Sequence, residues 1–364
     1  MIERESFFLL HQTLYFLVAF GAILLSIKML VKKRILSEFS NSKFSSKFFL
    51  LCFTIIVGLR AYNVGTDTGN YYNAWNVYSL SDVKGDMLYY LIMYGVKIIG
   101  LNYQFFLFVD ASIFSILLYF SLKNLSKFFK VHQFLLLFAF LSFFFSLSLS
   151  INVVRQGNAL MLLLLAYSFF ILGKPKKYLL LCLTGALFFH LTAIIPIMAF
   201  LIVYFFKKLS VYFWLGLYFI ALVLSYLDYG ILNISPLLVD LLEGDKRLTY
   251  IEFDDTKYVI GFKPQFAIFN TVFLFLGLYL LKNLKVKEKF RILLKYFMLS
   301  SILFFMAFQI PFSDRWGLFS WIVIPIFMGQ FFSFYNPKRI AYLFQTFFLI
   351  LILIFIYFNI YAKS

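Results

Sequence analysis

The chain has 364 residues, 63% hydrophobic and only 13% charged, with 33 Lys and Arg against 16 Asp and Glu for a net charge of +17. A soluble domain carries about 25% charged residues, so this chain cannot coat a water-facing globule and needs lipid as solvent along much of its length. Nor does the excess of positive charge mark a nucleic-acid binder, because it gathers in the loops on one side of the apolar runs.

The N-terminus opens Met1-Ile2-Glu3-Arg4-Glu5, with no basic leader and no small-residue cleavage site after the first apolar run. That run is expected to stay as a first span. A span needs about 20 mostly apolar residues. Twelve runs meet or approach this, at about 7–31, 44–59, 105–122, 133–150, 153–173, 178–190, 192–206, 211–229, 265–281, 292–310, 317–335 and 340–361. The fold class is therefore an all-α polytopic integral membrane protein of about 12 (11–13) transmembrane helices, with residues 1–364 forming one membrane domain.

Basic residues set its orientation. The clusters Lys28–Lys47, Lys123–Lys130, Lys174–Lys177, Lys207–Lys208, Lys282–Lys295 and Lys338–Arg339 hold 22 of the 33 basic residues and only two acids, Glu38 and Glu288. Their side is cytoplasmic, which puts both termini and the loops at about 60–104, 230–264 and 311–317 outside. Residues 178–206 contain no Asp, Glu, Lys or Arg. One crossing there would export the cluster Lys282–Lys295, so two short helices turning near His190 are expected. Segment 87–99 is short and interrupted by Lys97, and reads as an outer amphipathic helix lying in the interface. Leu237, Leu238, Leu241 and Leu242 mark another, ending in Asp245-Lys246-Arg247.

The polar chemistry sits on the outer side. Arg60 opens Arg60-Ala61-Tyr62-Asn63-Val64-Gly65-Thr66-Asp67-Thr68-Gly69-Asn70-Tyr71-Tyr72, either a solvated loop with a snorkelling Arg60 or a structured polar turn. Asn152, Arg155 and Gln156 share one helix face at the mouth of a span. A lone interfacial anchor would not need the two amides, so the triplet points to a water-filled cavity. His190 is the one ionisable group in its segment, either a hydrogen-bonded structural residue or a proton acceptor. Asp314-Arg315 follows Pro311 and is either a self-satisfied surface pair or a carboxylate orienting a guanidinium. Arg60, Arg155, Arg247 and Arg315 thus all fall on the outer face with His190. Guanidinium groups suit phosphate oxygens, so the expected cavity takes an anion. Cys52, Cys182, His11 and His132 show no metal-ligand spacing, and neither metal nor cofactor is expected.

These residues carry a resemblance. Arg60 to Tyr72 resembles the R-x-x-x-V-G-T-D-T-x-x-Y signature of EpsG-type exopolysaccharide proteins and the related Wzy-type O-antigen polymerases. Val154-Arg155-Gln156-Gly157-Asn158-Ala159 is similar to their (I/V)-R-Q-x-x-A element, Phe188-Phe189-His190-Leu191-Thr192-Ala193 to their F-H-x-(S/T)-A element, and Asp314-Arg315 to their late D-R. Order and spacing agree across about residues 50–320; position 192 is Thr where Ser is common, and the 230–264 loop carries no matching motif.

The resemblance implies an architecture like that of GT-C glycosyltransferases and O-antigen ligases. It also implies a glycosyltransferase that polymerises undecaprenyl-pyrophosphate-linked oligosaccharide repeat units at the periplasmic leaflet of a bacterial inner membrane. Its partners would be lipid-linked substrates, membrane lipid and a chain-length regulator. In that chemistry Arg155 and Arg315 would stabilise the leaving group, with Arg60 and Arg247 assisting. His190 or Asp67 would take the acceptor proton, and Gln156, Tyr71, Tyr72, Asn152 and Asp314 would position substrate. A flippase of the same lipids and a membrane O-acyltransferase are the competing readings; the first expects two similar halves, and none is visible.

Overall fold

The computed structural model describes residues 1–32, 43–77, 85–231, 260–282, 287–333, 339–357 and 359. Apolar runs without helix breakers leave the backbone no partner but itself, and in lipid a helix satisfies it completely. Every one of the twelve runs accordingly contains helix, and the described residues divide into two compact units, Met1–Ile194 with Met328–Ser364, and Ile195–Phe327.

The first unit holds α1 (Arg4–Lys32), α2 (Lys43–Gly58), α3 (Thr68–Val77), α4 (Met87–Ile98), α5 (Tyr103–Phe129), α6 (Gln133–Leu141), α7 (Phe145–Ile151), α8 (Val154–Leu172) and α9 (Lys176–Phe189). Polar ties pin these helices where sliding would otherwise be easy. Thr54 on α2 donates to Ser115 on α5 at 2.7 Å, and Asn124 on α5 donates to Ser168 on α8 at 3.0 Å. The N-terminal strap pairs Ile2 with the Arg60 turn, as Ile2 N–H donates to Leu59 O at 2.7 Å and Ala61 N–H to Ile2 O at 2.8 Å. Near the other terminus Tyr357 stacks on Tyr15 with ring centroids 3.5 Å apart, and its hydroxyl meets His11 Nδ1 at 3.5 Å.

The run 133–150 differs from a single straight span: α6 and α7 are bent by 82°. Ser142 ends α6, its hydroxyl turned back to Phe138 O at 2.7 Å and held by Tyr15 at 3.0 Å. Gly157 makes the next junction close. A Cβ there would overlap the backbone carbonyl oxygen of Leu149, which cannot swing aside. Gly157→Ala is expected to cost about 1–3 kcal/mol by overpacking, read as a lower melting midpoint of the purified protein.

The second unit contains α10 (Ile194–Phe205), α11 (Val211–Tyr226), α12 (Pro264–Leu281), α13 (Lys287–Met306), α14 (Asp314–Trp321) and the start of α15 (Ile324–Ser333), which returns the chain to the first unit before α16 (Arg339–Ile356). Its centre is Asn270, fully buried and satisfied on both sides of its amide. Asn270 donates to Ser301 at 2.9 Å and to Ser320 at 3.0 Å, and accepts from Trp321 Nε1 at 2.6 Å. Lys295 is buried and caps the end of the α10 region, Nζ donating to Lys207 O at 2.7 Å.

Length separates the helices. Arg4–Lys28, Tyr103–Phe129, Val154–Leu172, Pro264–Leu281 and Asp314–Ser333 are long and apolar enough to cross a membrane alone, and the bent α6–α7 pair makes a sixth if counted as one span. Ser46–Gly58, Met87–Ile98, Leu191–Phe205, Val211–Tyr226 and Thr346–Phe355 are shorter apolar helices. At about 1.5 Å per residue these fall below the roughly 30 Å of a hydrocarbon core. Segment 178–206 breaks where expected: His190 is extended at φ −157°, ψ 123°, and a 3-10 turn at Leu191–Ala193 follows.

Candidate functional site

The site is built at the Arg60-turn end of the first unit. Gly65 adopts φ +87° and packs so tightly that a Cβ would lie 2.8 Å from Asn152 Oδ1 and from Ile151 O; only glycine combines that φ with that approach. Thr66 N–H donates to Asn152 Oδ1 at 2.9 Å, and the Thr68 hydroxyl donates to Val64 O at 2.6 Å with Ile151 O 3.2 Å from the same oxygen. Tyr71 donates to Asn152 O at 3.1 Å. The first two sequence motifs are thus one object, a polar turn clamped onto the α7–α8 junction, and the reading of the turn as loose and solvated falls away. It continues directly into α3, a helix that the polar composition of this stretch does not announce.

Asp86 joins the other elements. It caps α4 in the left-handed region, φ 53°, ψ 37°, a conformation Asp tolerates better than most residues at a cost of roughly 1 kcal/mol. Its Oδ2 accepts Arg155 Nη1–H at 2.7 Å. His190 Nδ1 lies 2.9 and 3.0 Å from its two oxygens, and Leu191 N–H donates to Oδ1 at 2.9 Å. An ionised carboxylate only accepts, so Nδ1 carries the hydrogen and a neutral imidazole keeps its lone pair on Nε2, which makes no hydrogen bond among the described residues. Burial pushes the Asp86 carboxyl up, but the His190 hydrogen bond, the Arg155 guanidinium and the Leu191 amide outweigh it and hold Asp86 below its ordinary range.

Arg155 is seated among rings. Its Cζ lies 5.4 Å from the Tyr71 centroid and 6.0 Å from those of Tyr89 and Tyr90, and its Nη1 also reaches the Tyr90 hydroxyl at 3.3 Å. Ring faces attract a guanidinium and hold it in place. The side chain is still 29% exposed and that of His190 13%. A fixed cation and an oriented imidazole therefore stand side by side on one carboxylate, able to stabilise developing negative charge and to accept a proton.

The remaining candidates are distributed as follows. Gln156 is buried beside Arg155 on α8. Tyr72 stacks on Tyr62 with centroids 4.5 Å apart. Asp67 precedes α3, its carbonyl accepting Tyr71 N–H at 3.1 Å. Asn152 holds the turn through both its side-chain and main-chain oxygens. Arg60, expected at the cavity wall or snorkelling, is fully buried, because its side chain folds back along α2 to Val57 O at 2.7 Å. Asp314 and Arg315 open α14 in the second unit, where Arg315 Cζ lies 4.9 Å from the Phe312 centroid and Lys263 Nζ donates to Ser313 Oγ at 2.7 Å. Arg247 lies outside the described residues. Among the described residues no group of three or more His, Cys, Asp or Glu comes together as a metal site.

Sequence reasoning missed Asp86, the residue on which the rest converge. Its signal was slight: an Asp one residue before an apolar helix, which reads first as an ordinary N-cap. It also missed Asp110, whose signal was stronger, a carboxylate inside an otherwise apolar run.

An all-helical, multi-pass membrane protein with a carboxylate, an imidazole and a guanidinium joined at one end of a helical unit is the class that fold and site define. The chain belongs to the EpsG family, whose sequence profile matches residues 43–364 and so takes in every motif above. No curated protein and no solved structure gives a match. Membership assigns the chain a polysaccharide-polymerase type of role.

Proposed function

We propose that the protein polymerises lipid-linked oligosaccharide repeat units at the periplasmic face of a bacterial inner membrane. The observation that carries this reading is Asp86 holding both His190 and Arg155. His190 Nε2 takes the proton from an acceptor hydroxyl of one unit, and the freed oxygen attacks C1 of the reducing-end sugar of the growing chain. The bond from C1 to the pyrophosphate oxygen breaks, and undecaprenyl pyrophosphate leaves with the electron pair. Arg155 stabilises the charge that grows on that oxygen. Gln156, Tyr71 and Tyr72 would position sugars; Asp67 is the alternative base. Arg315, Asp314 and Arg247 are assigned to the lipid-linked substrate on their motifs and charge alone. The basic clusters support a cytoplasmic side for the opposite loops, and about twelve crossings in a GT-C-like arrangement would use the short helices as tilted or paired spans. A chain-length regulator is the partner we would seek.

Reconstituted protein given lipid-linked repeat units should yield a ladder of products. One observation favours a second reading: an acyltransferase needs a histidine with an acidic partner, and Asp86 supplies one. A single unit bearing a labelled acyl group, with no ladder, would decide for that reading. Cells lacking the protein should accumulate single capped units outside; lipid-linked units retained inside would mark a flippase.

A further inference from the structure

Two charged side chains of the first unit have no step in the reaction proposed above. Arg60 is fully buried, and its Nε and Nη2 have no hydrogen-bond partner. At this level α2 presses on α5, for a Cβ on Gly58 would lie 2.8 Å from Phe108 Cα. Two residues along α5, Asp110 is also buried, and its Oδ1 accepts Asn158 Nδ2–H at 2.6 Å. Asn158 Oδ1 and the Tyr89 hydroxyl are buried without partners. Arg60 and Asp110 attract one another, and both act on Tyr89 and Tyr103, yet no direct ion pair joins them.

Buried donors and acceptors left open are costly, and a polar interior gap with several such groups is where a protein keeps ordered water. The pair also abuts the proposed site. Tyr71 and Tyr89, with centroids 5.7 Å apart, form the wall that seats Arg155. Asn158 follows Arg155 on α8 by three residues, hence on the same face. We infer that Arg60, Asp110, Asn158 and Tyr89 enclose an internal water site that closes a hydrated Arg60–Asp110 charge pair, and that Asp110 is a positioning residue for Arg155 and the Asp86–His190 pair. Water bridges the guanidinium to the carboxylate, the balanced pair holds the tyrosine wall, and the wall holds Arg155. The water site does not depend on the reaction proposed above.

The experiment uses the full chain in lipid nanodiscs. A high-resolution cryo-electron microscopy map should show water density between Arg60 Nη2 and Asp110, weakened in Tyr89→Phe; a dry gap overturns the water site. Asp110→Asn should lower the melting midpoint, and Arg60→Met with Asp110→Leu should recover most of that loss. A double variant as unstable as the sum of the singles overturns the pair. Positioning is read by nitrogen-15 NMR on a chain with only three histidines. The His190 Nδ1 signal should move in Asp110→Asn, and in Tyr89→Phe if the former does not fold. It should stay in place in Asn270→Ala, a destabilised variant of the second unit. An unmoved His190 signal overturns the positioning role whatever the enzyme's activity proves to be.

Discussion

Arg155→Ala is expected to collapse the polysaccharide ladder to single capped units at normal protein levels, a loss of about 10²–10³ in rate. That is the usual effect of removing one preorganised donor, about 3–4 kcal/mol, from the position where negative charge develops. Arg155 meets this condition because Asp86 and three tyrosine rings fix it before substrate arrives. Only Nη1 is given to Asp86 and Tyr90 and Nε is buried, so Nη2 is the donor assigned to a phosphate oxygen. Arg155→Lys keeps the charge and loses the fork, and should fall between wild type and alanine. Chains of wild-type length from the alanine variant would remove Arg155 from the reaction.

The second large effect belongs to Asp86. Asp86→Asn has nearly the same shape but one carbonyl oxygen, while three donors converge on the position, from Arg155, His190 and Leu191. The amide NH₂ then faces a donor, and His190 loses the partner that sets its tautomer. Where a carboxylate orients a catalytic imidazole, such a change costs up to about 10⁴ in rate, and a loss of 10²–10⁴ is expected here. Asp86→Ala also leaves Arg155 without its counter-charge, a penalty toward the lower end of about 3–5 kcal/mol because Arg155 is partly exposed. The pH dependence has a definite sign. Asp86 is held below its ordinary 3.8, so its contribution to stability is complete above that value and is lost only as the pH falls further, through the folded-state value. Melting curves of Asp86→Asn should lack that acid limb. His190→Gln separates roles at the same site: a glutamine can hydrogen-bond but cannot take a proton at neutral pH, so full activity in that variant would make His190 structural.

The membrane class of this chain follows from composition, because too few charged residues exist to clothe a soluble surface. A break near His190 was also expected from the loop charges, and the chain is extended there with a 3-10 turn after it. Arg155 and His190 could be picked out singly, as polar groups at the mouths of apolar runs. Their meeting on Asp86, 69 residues from Arg155 and 104 from His190, could not, because helical periodicity encodes neighbours three or four positions apart and carries nothing across loops. The same limit hid Asp110 and the burial of Arg60, whose place at the end of a span left a snorkelling anchor and a structured polar turn equally open. Hydropathy and charge thus determined that the chain lives in a membrane and where its polar residues cluster. Which of those residues touch was decided by the tertiary fold alone, through the close approaches at Gly65, Gly58 and Gly157 that bring separate helices within hydrogen-bonding reach.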